Sequence, residues 1–390
     1  MPGALDGTRV VDLTAMITGP LATMILADQG AQVVKVEPPG IGDVMRYIGS
    51  QRGGISSLFA SCNRSKRSLV VNLKEEAGRA IVRELALGAD VFIQNFRQGV
   101  IERLGLGESD LRAQHPELIY VSLTAFGQKG PFAGRPAYDH ILQGMTGTPY
   151  VQADPPEFMR QAWCDKTTAM TAAQAITAAL FARERGAGGQ HLRLSMLDAA
   201  ISFLWPDGHA NTMLMEDDAL RLPPISSTYE PIKTADGWAS IAAVTEDQWT
   251  NLLIAFGKED MLLDPRFATA KARLENLGAF RSELTAAAPN WTTDELVERL
   301  READVPCGPI LKLSDVPEFS QVVANETLIE SDHPTMGRIR EPKPAARFGE
   351  TPSKIQHPAP SLGEHTEELL VELGRSEEDI GKLRADGVIN

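Results

Sequence analysis

The sequence predicts an α/β protein with a large domain built on a helix-covered parallel sheet and a second, smaller domain. Three observations carry this. At 390 residues the chain exceeds the size at which one hydrophobic core keeps growing, which favours a large domain with a smaller companion. Strand-like apolar runs alternate with helix-patterned segments through the first half, and such alternation yields parallel strands joined by helices. With 43% hydrophobic and 23% charged residues, and no apolar run of about 18 or more, the chain reads as globular, without a membrane span.

The elements follow in order. TRVVDLT (8–14) is the first strand, LATMILADQG carries an apolar helix pattern, and AQVVKVEPPG (31–40) returns as a strand, which makes a βαβ unit. Gly30 stands where a helix C-terminus wants a left-handed residue, and PPG punctuates the second strand. Further strand-like runs are RSLVVNL (67–73), ADVFIQNF (89–96) and LIYVSLTAFG (118–127), separated by helical patterns such as KEEAGRAIVRELALG. AMTAAQAITAALFARER (169–185) is a strong helix ended by GAGG, and QHLRLSML (190–197) is a strand. A Pro- and Gly-rich passage follows, and then KTADGWASIAAV (233–244) reads as a hairpin, with helices at EDQWTNLLIAFG and TTDELVERLREA. The predicted organisation is a large domain over 1–205, a linker over 206–228, a small α/β domain over 229–325, and a C-terminal segment over 326–390. That last segment has a long stretch without regular structure before the helix TEELLVELG. This suits a wrapping segment that returns to the first domain or to another subunit.

Several function classes are disfavoured. A formal charge of −14 opposes general nucleic-acid binding. The first strand-helix turn, TAMITGP, is not G-x-G-x-x-G, and GIGDVM lacks the third glycine, so dinucleotide binding is disfavoured. P-loop and G-x-S-x-G signatures are absent. Cys62, Cys164 and Cys307 are far apart and make no metal spacing with each other or with histidine, so no metal is expected and a reducing compartment is. Nothing at the N-terminus marks export, which makes cytoplasmic the default expectation.

In parallel sheets ligands bind beyond the carboxyl ends of the strands, here around Thr14–Pro20, Glu37–Asp43, Asn95–Arg97 and Thr124–Lys129. NRSKRS (63–68) packs Arg64, Lys66 and Arg67 together, with Arg97 and Arg103 following. A solvated face is the plain reading, and a site for a small phosphorylated ligand is the functional one. Cys164 next to Trp163 reads as a small buried apolar residue unless a histidine such as His140 lies beside it. Asp165, just before the alanine-rich helix, has two readings. Asp is a preferred N-cap. A carboxylate at a helix N-terminus also stays ionised near amides that can stabilise an oxyanion, and it can attack an activated acyl group. Local sequence does not choose between them.

A set of motifs then runs nearly end to end: LDGTRVVDLT with Gly19-Pro20, GAQVVKVEPPGIGD, NRSKRSLVVNLK, VFIQNFRQGVIERLGLG, LIYVSLTAFGQKGP, AYDHILQGMTG, VPCGPI and LGEHTEELLVELG. In this order the chain resembles the family III CoA-transferases of the CaiB/BaiF type, which include formyl-CoA transferase and, as a divergent branch, α-methylacyl-CoA racemase. The resemblance implies a Rossmann-like large CoA-binding domain, a smaller α/β domain and an interlocked homodimer. It implies acyl-CoA and carboxylic acid substrates and no tightly bound cofactor.

The arrangement CDKTTAM…ARERGAGGQHLRLSMLDAA matches the family's nucleophile region and places the nucleophile at Asp165. The implied chemistry is attack of Asp165 on a donor thioester, return of CoA to the aspartyl carbonyl, and recovery of CoA by an acceptor acid. By the same resemblance Val71, Lys74, Asn95, Phe96, Arg97, Arg103 and Arg135 bind CoA, Met16, Ile17 and Thr18 line the cofactor site, and Tyr138 and Asp139 belong with the catalytic group.

Departures from the family narrow the reading. The racemase branch has a histidine before an aspartate, whereas AYDH puts Tyr138 in that place and His140 one position beyond Asp139, so proton exchange loses its obvious base. A Tyr138 hydroxyl suits a substrate carboxylate. The glycine-rich loop of formyl-CoA transferase has no counterpart where IAAVTEDQW runs on, and Ile17 removes a polar contact to oxalate. A succinyl-like donor with a larger dicarboxylic or branched acceptor is expected. The alternatives are a racemase or epimerase and a non-catalytic acyl-CoA-binding protein.

Overall fold

The computed structural model describes residues 1–390, the side chains of residues 270 and 274 excepted. Two compact units divide the chain, one of Met1–Ala210 with Asn325–Asn390, the other of Asn211–Ala324.

The first unit is built on β1 (Arg9–Asp12), α1 (Thr18–Asp28), β2 (Gln32–Glu37), α2 (Ser57–Asn63), β3 (Lys66–Val70), α3 (Glu76–Leu87), β4 (Val91–Gln94), β5 (Ile119–Thr124), α4 (Asp139–Thr146), α5 (Trp163–Ala182), β6 (His191–Ser195) and α6 (Met196–Leu204). Its six strands are all parallel, in the order β3-β2-β1-β4-β5-β6. The order reverses between β1 and β4, and a doubly wound sheet opens its ligand crevice at such a point. Strands such as VVD and VFI are buried on both faces because apolar helices cover both sides. One face packs Ile81, Val82, Leu118 and Tyr120; the other packs Leu26, Val33, Ile93 and Ile176. On that second face α1 presents Ala22, Leu26 and Ala27, while α5 presents Ala169, Ala172, Ala173 and Ala179. Small side chains let the two helices approach closely, which explains an alanine-rich run that is not amphipathic.

Helix α5 starts at Trp163 with Ala162 at its N-cap and no side-chain cap. This corrects the capping reading of Asp165, which is the third helical residue and leaves its own helix end uncapped. The cationic loop reading of NRSKRS is corrected as well. Arg64 pairs with Asp28 (2.8 Å), Lys66 with Asp12 (3.0 Å) and Arg67 with Glu372 (2.6 Å). Arg64 and Lys66 are buried and Arg67 pairs at the surface with Glu368 and Glu372, so all three cations are engaged within the fold.

In the second unit β7 (Ile232–Lys233) and β8 (Trp238–Ile241) form an antiparallel hairpin, extended by β9 (Cys307–Pro309). Helices α7 (Glu246–Ala255), α8 (Leu277–Ala287) and α9 (Thr293–Glu302) bury Leu252, Phe256, Phe280, Leu296 and Leu300 in a core of their own. Thr245 with Gln248 and Thr292 with Glu295 close capping boxes that start α7 and α9.

The passage after residue 325 is more regular than its sequence suggests. Strands β10 (Leu328–His333) and β11 (Gly337–Pro342) pair antiparallel. Their two faces are largely exposed and carry Glu330 with Arg338 and Arg340, so the apolar alternation that reveals most strands is missing. Residues 343–365 then run extended over the first unit: Lys354 N–H donates to the Asp28 carbonyl (2.9 Å), and Arg46 Nη1 donates to the Pro360 carbonyl (3.1 Å). Helices α10 (Thr366–Glu372) and α11 (Glu377–Ala385) finish the chain and add Leu369, Leu370 and Ile380 to the core.

Candidate active site

Charged residues sit inside three of the apolar strands. Asp12, Lys35 and Lys66 are fully buried at the ends or middle of β1, β2 and β3. Isolated, each would carry a desolvation cost of several kcal/mol, so partners are required. Lys66 Nζ donates to Asp12 Oδ2 (3.0 Å), to the Pro20 carbonyl (2.8 Å) and to Asn63 Oδ1 (2.8 Å). Lys35 Nζ donates to Asp43 Oδ2 and to the Thr14 carbonyl, each at 2.9 Å. Burial acting alone would raise the carboxyl of Asp12, but Lys66 and Lys35 beside it hold it down to about 2.

These buried groups hold the turn after β1. Asp12 Oδ1 accepts from the Thr14 amide (2.9 Å), and Asp43 Oδ1 accepts from the Met16 amide (3.3 Å). Met16 adopts a φ of 68°, a left-handed conformation that a non-glycine residue keeps only when its surroundings enforce it. Asn95, just past β4, donates from Nδ2 to the Ala15 carbonyl (2.8 Å) and accepts at Oδ1 from the Ala15 amide (3.1 Å). This reciprocal pair bridges the crevice where the strand order reverses. Gly19 completes the turn, since a Cβ there would lie 2.3 Å from the Thr14 side chain.

The turn delivers Thr18 to the start of α1, where its hydroxyl donates to Asp165 Oδ1. The amide of Asp165 donates to Asp139 Oδ2 (3.0 Å), and Asp139 Oδ1 accepts from Gln143 Nε2 (2.6 Å). Asp139 is thereby buried at the first position of α4, although Tyr138 before it is 63% exposed. Burial pushes the half-buried Asp165 carboxyl up from 3.8 to about 6. Hydrogen bonds from the Thr18 hydroxyl and amide oppose the rise, and the charge of Asp139 adds to it. Asp165 thus keeps the expected place in the first turn of its helix and is still mostly ionised at neutral pH, but its burial outweighs what the helix end and Thr18 offer.

The other expected residues fall into three groups. Lys74, Arg97, Arg103 and Arg135 are exposed, and among the described residues none is in an ion pair; Arg135 lies 4.5 Å over the Phe132 ring. Val71 is buried in the core with its amide given to the Glu37 carbonyl (2.9 Å), and Phe96 is half-buried with its amide given to Gln94 Oε1 (2.8 Å). Met16 and Ile17 pack against Met45, Ile55 and Phe59. Cys164 is fully buried and its thiol is pushed up by burial and by the Asp139 and Asp165 charges, which leaves it neutral. His140 is exposed and turns its ring edge-on to Phe158, 6.3 Å away. Sequence reasoning missed Asp12, Lys35, Asp43 and Lys66 as supports of the site, though for Asp12 and Lys35 a charge inside an apolar strand was the available signal.

Residues 5–366 match CoA-transferase family III. The chain belongs to this family. The succinyl-CoA:glutarate CoA-transferase of Mus musculus is 34% identical over 393 residues, covering 99% of this chain and 90% of that protein. The succinate–glutarate CoA-transferase of Agrobacterium fabrum is 34% identical over 385 residues, covering 95% of each. Among solved structures, a CaiB/BaiF family protein from Brucella suis superposes with a TM-score of 0.81 at 32% identity, covering 96% of this chain and all of that one. This family III CoA-transferase is an acyl-CoA:carboxylate CoA-transferase, and its α/β fold, with one six-stranded parallel sheet and small antiparallel sheets, is the family's own. No helix among the described residues is long and apolar enough to cross a membrane.

Proposed function

We propose that the enzyme moves CoA from succinyl-CoA to a dicarboxylic acid of about glutarate size, with Asp165 as the covalent carrier. The observation that carries this is the Asp165 carboxylate itself. It is half-buried, and Thr18 holds one of its oxygens while among the described residues no cation acts on it and no side chain bonds Oδ2. A desolvated, unpaired carboxylate is a better nucleophile than a solvated one. Oδ2 attacks the donor thioester carbonyl and CoA leaves as the thiolate, giving a mixed anhydride. The thiolate adds to Cγ of Asp165 and expels the donor acid, giving an aspartyl-CoA thioester. An acceptor carboxylate then attacks Cγ, and CoA is recovered by the reverse steps.

The donor and acceptor classes rest on the succinyl and glutarate chemistry in the names of the relatives and on the apolar Ile17 beside Thr18, which offers oxalate no polar contact. For CoA, the unpaired cations Lys74, Arg97, Arg103 and Arg135 serve the phosphates, and Val71, Asn95 and Phe96 line the cofactor through backbone and ring surface. Met16 and Ile17 contribute the apolar wall of the reaction site, and Tyr138 the hydroxyl that meets the substrate carboxylate. Racemisation is disfavoured because His140 faces Phe158. The exposed side chains of Met170 (65%), Phe181 (64%) and Phe203 (62%) support a homodimer that covers them; light scattering in solution checks that.

The test incubates the enzyme with succinyl-CoA and a panel of carboxylic acids and reads new thioesters by mass spectrometry. Glutaryl-CoA or a close homologue is expected. Deuterium entering C2 of a 2-methylacyl-CoA without any acceptor acid would overturn the transfer reading, and tight CoA binding with no product from any acid would favour a non-catalytic binding protein.

A further inference from the structure

We infer that the Thr18 hydroxyl stabilises the oxyanion that forms on the Asp165 carbonyl oxygen when CoA returns to it, so that this side chain is catalytic in its own right. The inference rests on the reading of Asp165 as the covalent carrier.

The geometry distinguishes the two oxygens of Asp165. Thr18 Oγ1 donates to Oδ1, and its other neighbour is the Met196 sulfur at 3.8 Å, a weak acceptor. Oδ2 is then the attacking atom, and Oδ1 becomes the carbonyl oxygen of the anhydride. When the CoA thiolate adds to Cγ, the C–S bond forms and the carbonyl π pair moves onto Oδ1, which carries a full negative charge. Collapse restores the carbonyl, breaks the Cγ–Oδ2 bond and releases the donor carboxylate, which takes Oδ2 with it. A donor already aimed at Oδ1 bonds the neutral carbonyl weakly and the oxyanion strongly. It therefore lowers the barrier of this step.

The same bond has the opposite sign in the first step. There the donor stabilises the starting carboxylate, and that charge is leaving Asp165. Thr18 thus speeds return of CoA while it slows formation of the anhydride. Its position is preorganised, because Asn95, Asp43 and Gly19 hold the turn that carries it and Thr18 is 4% exposed. A hydroxyl held in place before the charge appears needs no reorganisation when it does.

The experiment compares wild type with Thr18→Val, which keeps the shape without the hydroxyl, and with Thr18→Ser, which keeps the hydroxyl. Each is mixed with succinyl-CoA, quenched at short times, and analysed by intact-protein mass spectrometry, which separates the succinyl adduct (anhydride) from the CoA adduct (thioester). Thr18→Val is expected to lower kcat by about 100-fold to 1000-fold, the usual loss for one oxyanion donor, and to shift the adduct pool toward anhydride; Thr18→Ser restores wild-type partition. If circular dichroism shows the valine variant unfolded, Thr18→Ala takes its place. An unchanged partition, with both adducts slowed equally or not at all, overturns the inference. Wild type that forms neither adduct at Asp165 removes the reading beneath it, which is a separate result.

Discussion

Thr18 and Asp165 lie 147 residues apart in sequence and share a hydrogen bond. The pair joins the first turn of α1 to the first turn of α5, the two helices whose alanine-rich faces pack together on one side of the sheet. Close helix packing, made possible by small side chains, is therefore what brings the donor to the carboxylate. The price is a carboxylate partly withdrawn from water and placed beside another, Asp139, with no cation among the described residues to offset either effect.

Asp165→Asn should stabilise the protein while abolishing turnover. A carboxyl whose folded-state value is raised from 3.8 to about 6 is more easily ionised in the unfolded chain. Its contribution to stability is full below pH 3.8, falls as pH rises toward 6, and is lost above. Removing the charge recovers about 1–2 kcal/mol at pH 7 once solvent access is allowed for. Thermal unfolding reads the gain, and a lower Tm for the variant would contradict the burial argument.

The pH profile should carry the same group. The nucleophile is active only when ionised, so kcat/KM with succinyl-CoA is expected to rise with pH through about 6 and to flatten above 7. Thr18→Val, which loses a bond that lowers the value, should move this limb to higher pH. A limb near 4 in both proteins would show that the carboxylate is solvated.

Much of this architecture was legible in the sequence. The alternation of apolar runs and helix patterns identified all six strands of the sheet, most directly those such as β1 and β4 that are buried on both faces and read as continuous apolar runs. The nearly exposed hairpin of β10 and β11 was not legible, since its register is set by backbone pairing and Glu330–Arg340 contacts rather than by burial. At the site, residue types were visible but their partners were not. NRSKRS reads as a cationic surface until three strands come together and put Lys66 against Asp12, and Asp165 reads as a cap until its helix is seen to begin at Trp163.

Asn95 supplies a case where residue type and geometry point in different directions. Its side-chain amide is used in both directions by Ala15, so the side chain holds the turn and only its backbone is left to line CoA as proposed. Asn95→Leu should cost about 1–3 kcal/mol of stability for the stranded Ala15 groups. It should lower kcat through displacement of Thr18 while leaving the Kd for CoA within about twofold, less than 0.5 kcal/mol. Calorimetry of CoA binding beside steady-state kinetics checks this; a large loss of affinity with kcat preserved would make Asn95 a ligand contact.

The buried pair of Asp12 and Lys66 supports the turn from below, and its purpose can be separated from its energy. Lys66→Met strands the Asp12 carboxylate with Lys35, Thr14 and Thr23 as its remaining partners, and breaking a buried pair in this way typically costs about 3–5 kcal/mol. Asp12→Asn combined with Lys66→Met removes both charges, so the double variant should lose less than the sum of the singles, with a coupling of about 1–3 kcal/mol. Urea unfolding of the four proteins measures that coupling. Stability alone does not explain why the ions are there, because apolar replacements of buried pairs are often neutral. The Thr14 amide and hydroxyl both donate to Asp12, and Lys66 holds the Pro20 carbonyl, so the pair grips the turn from both sides of Thr18. A double variant that regains stability but keeps a reduced kcat would identify the pair as an alignment device for Thr18, whereas recovery of both would leave the turn anchored by Asn95 and Asp43.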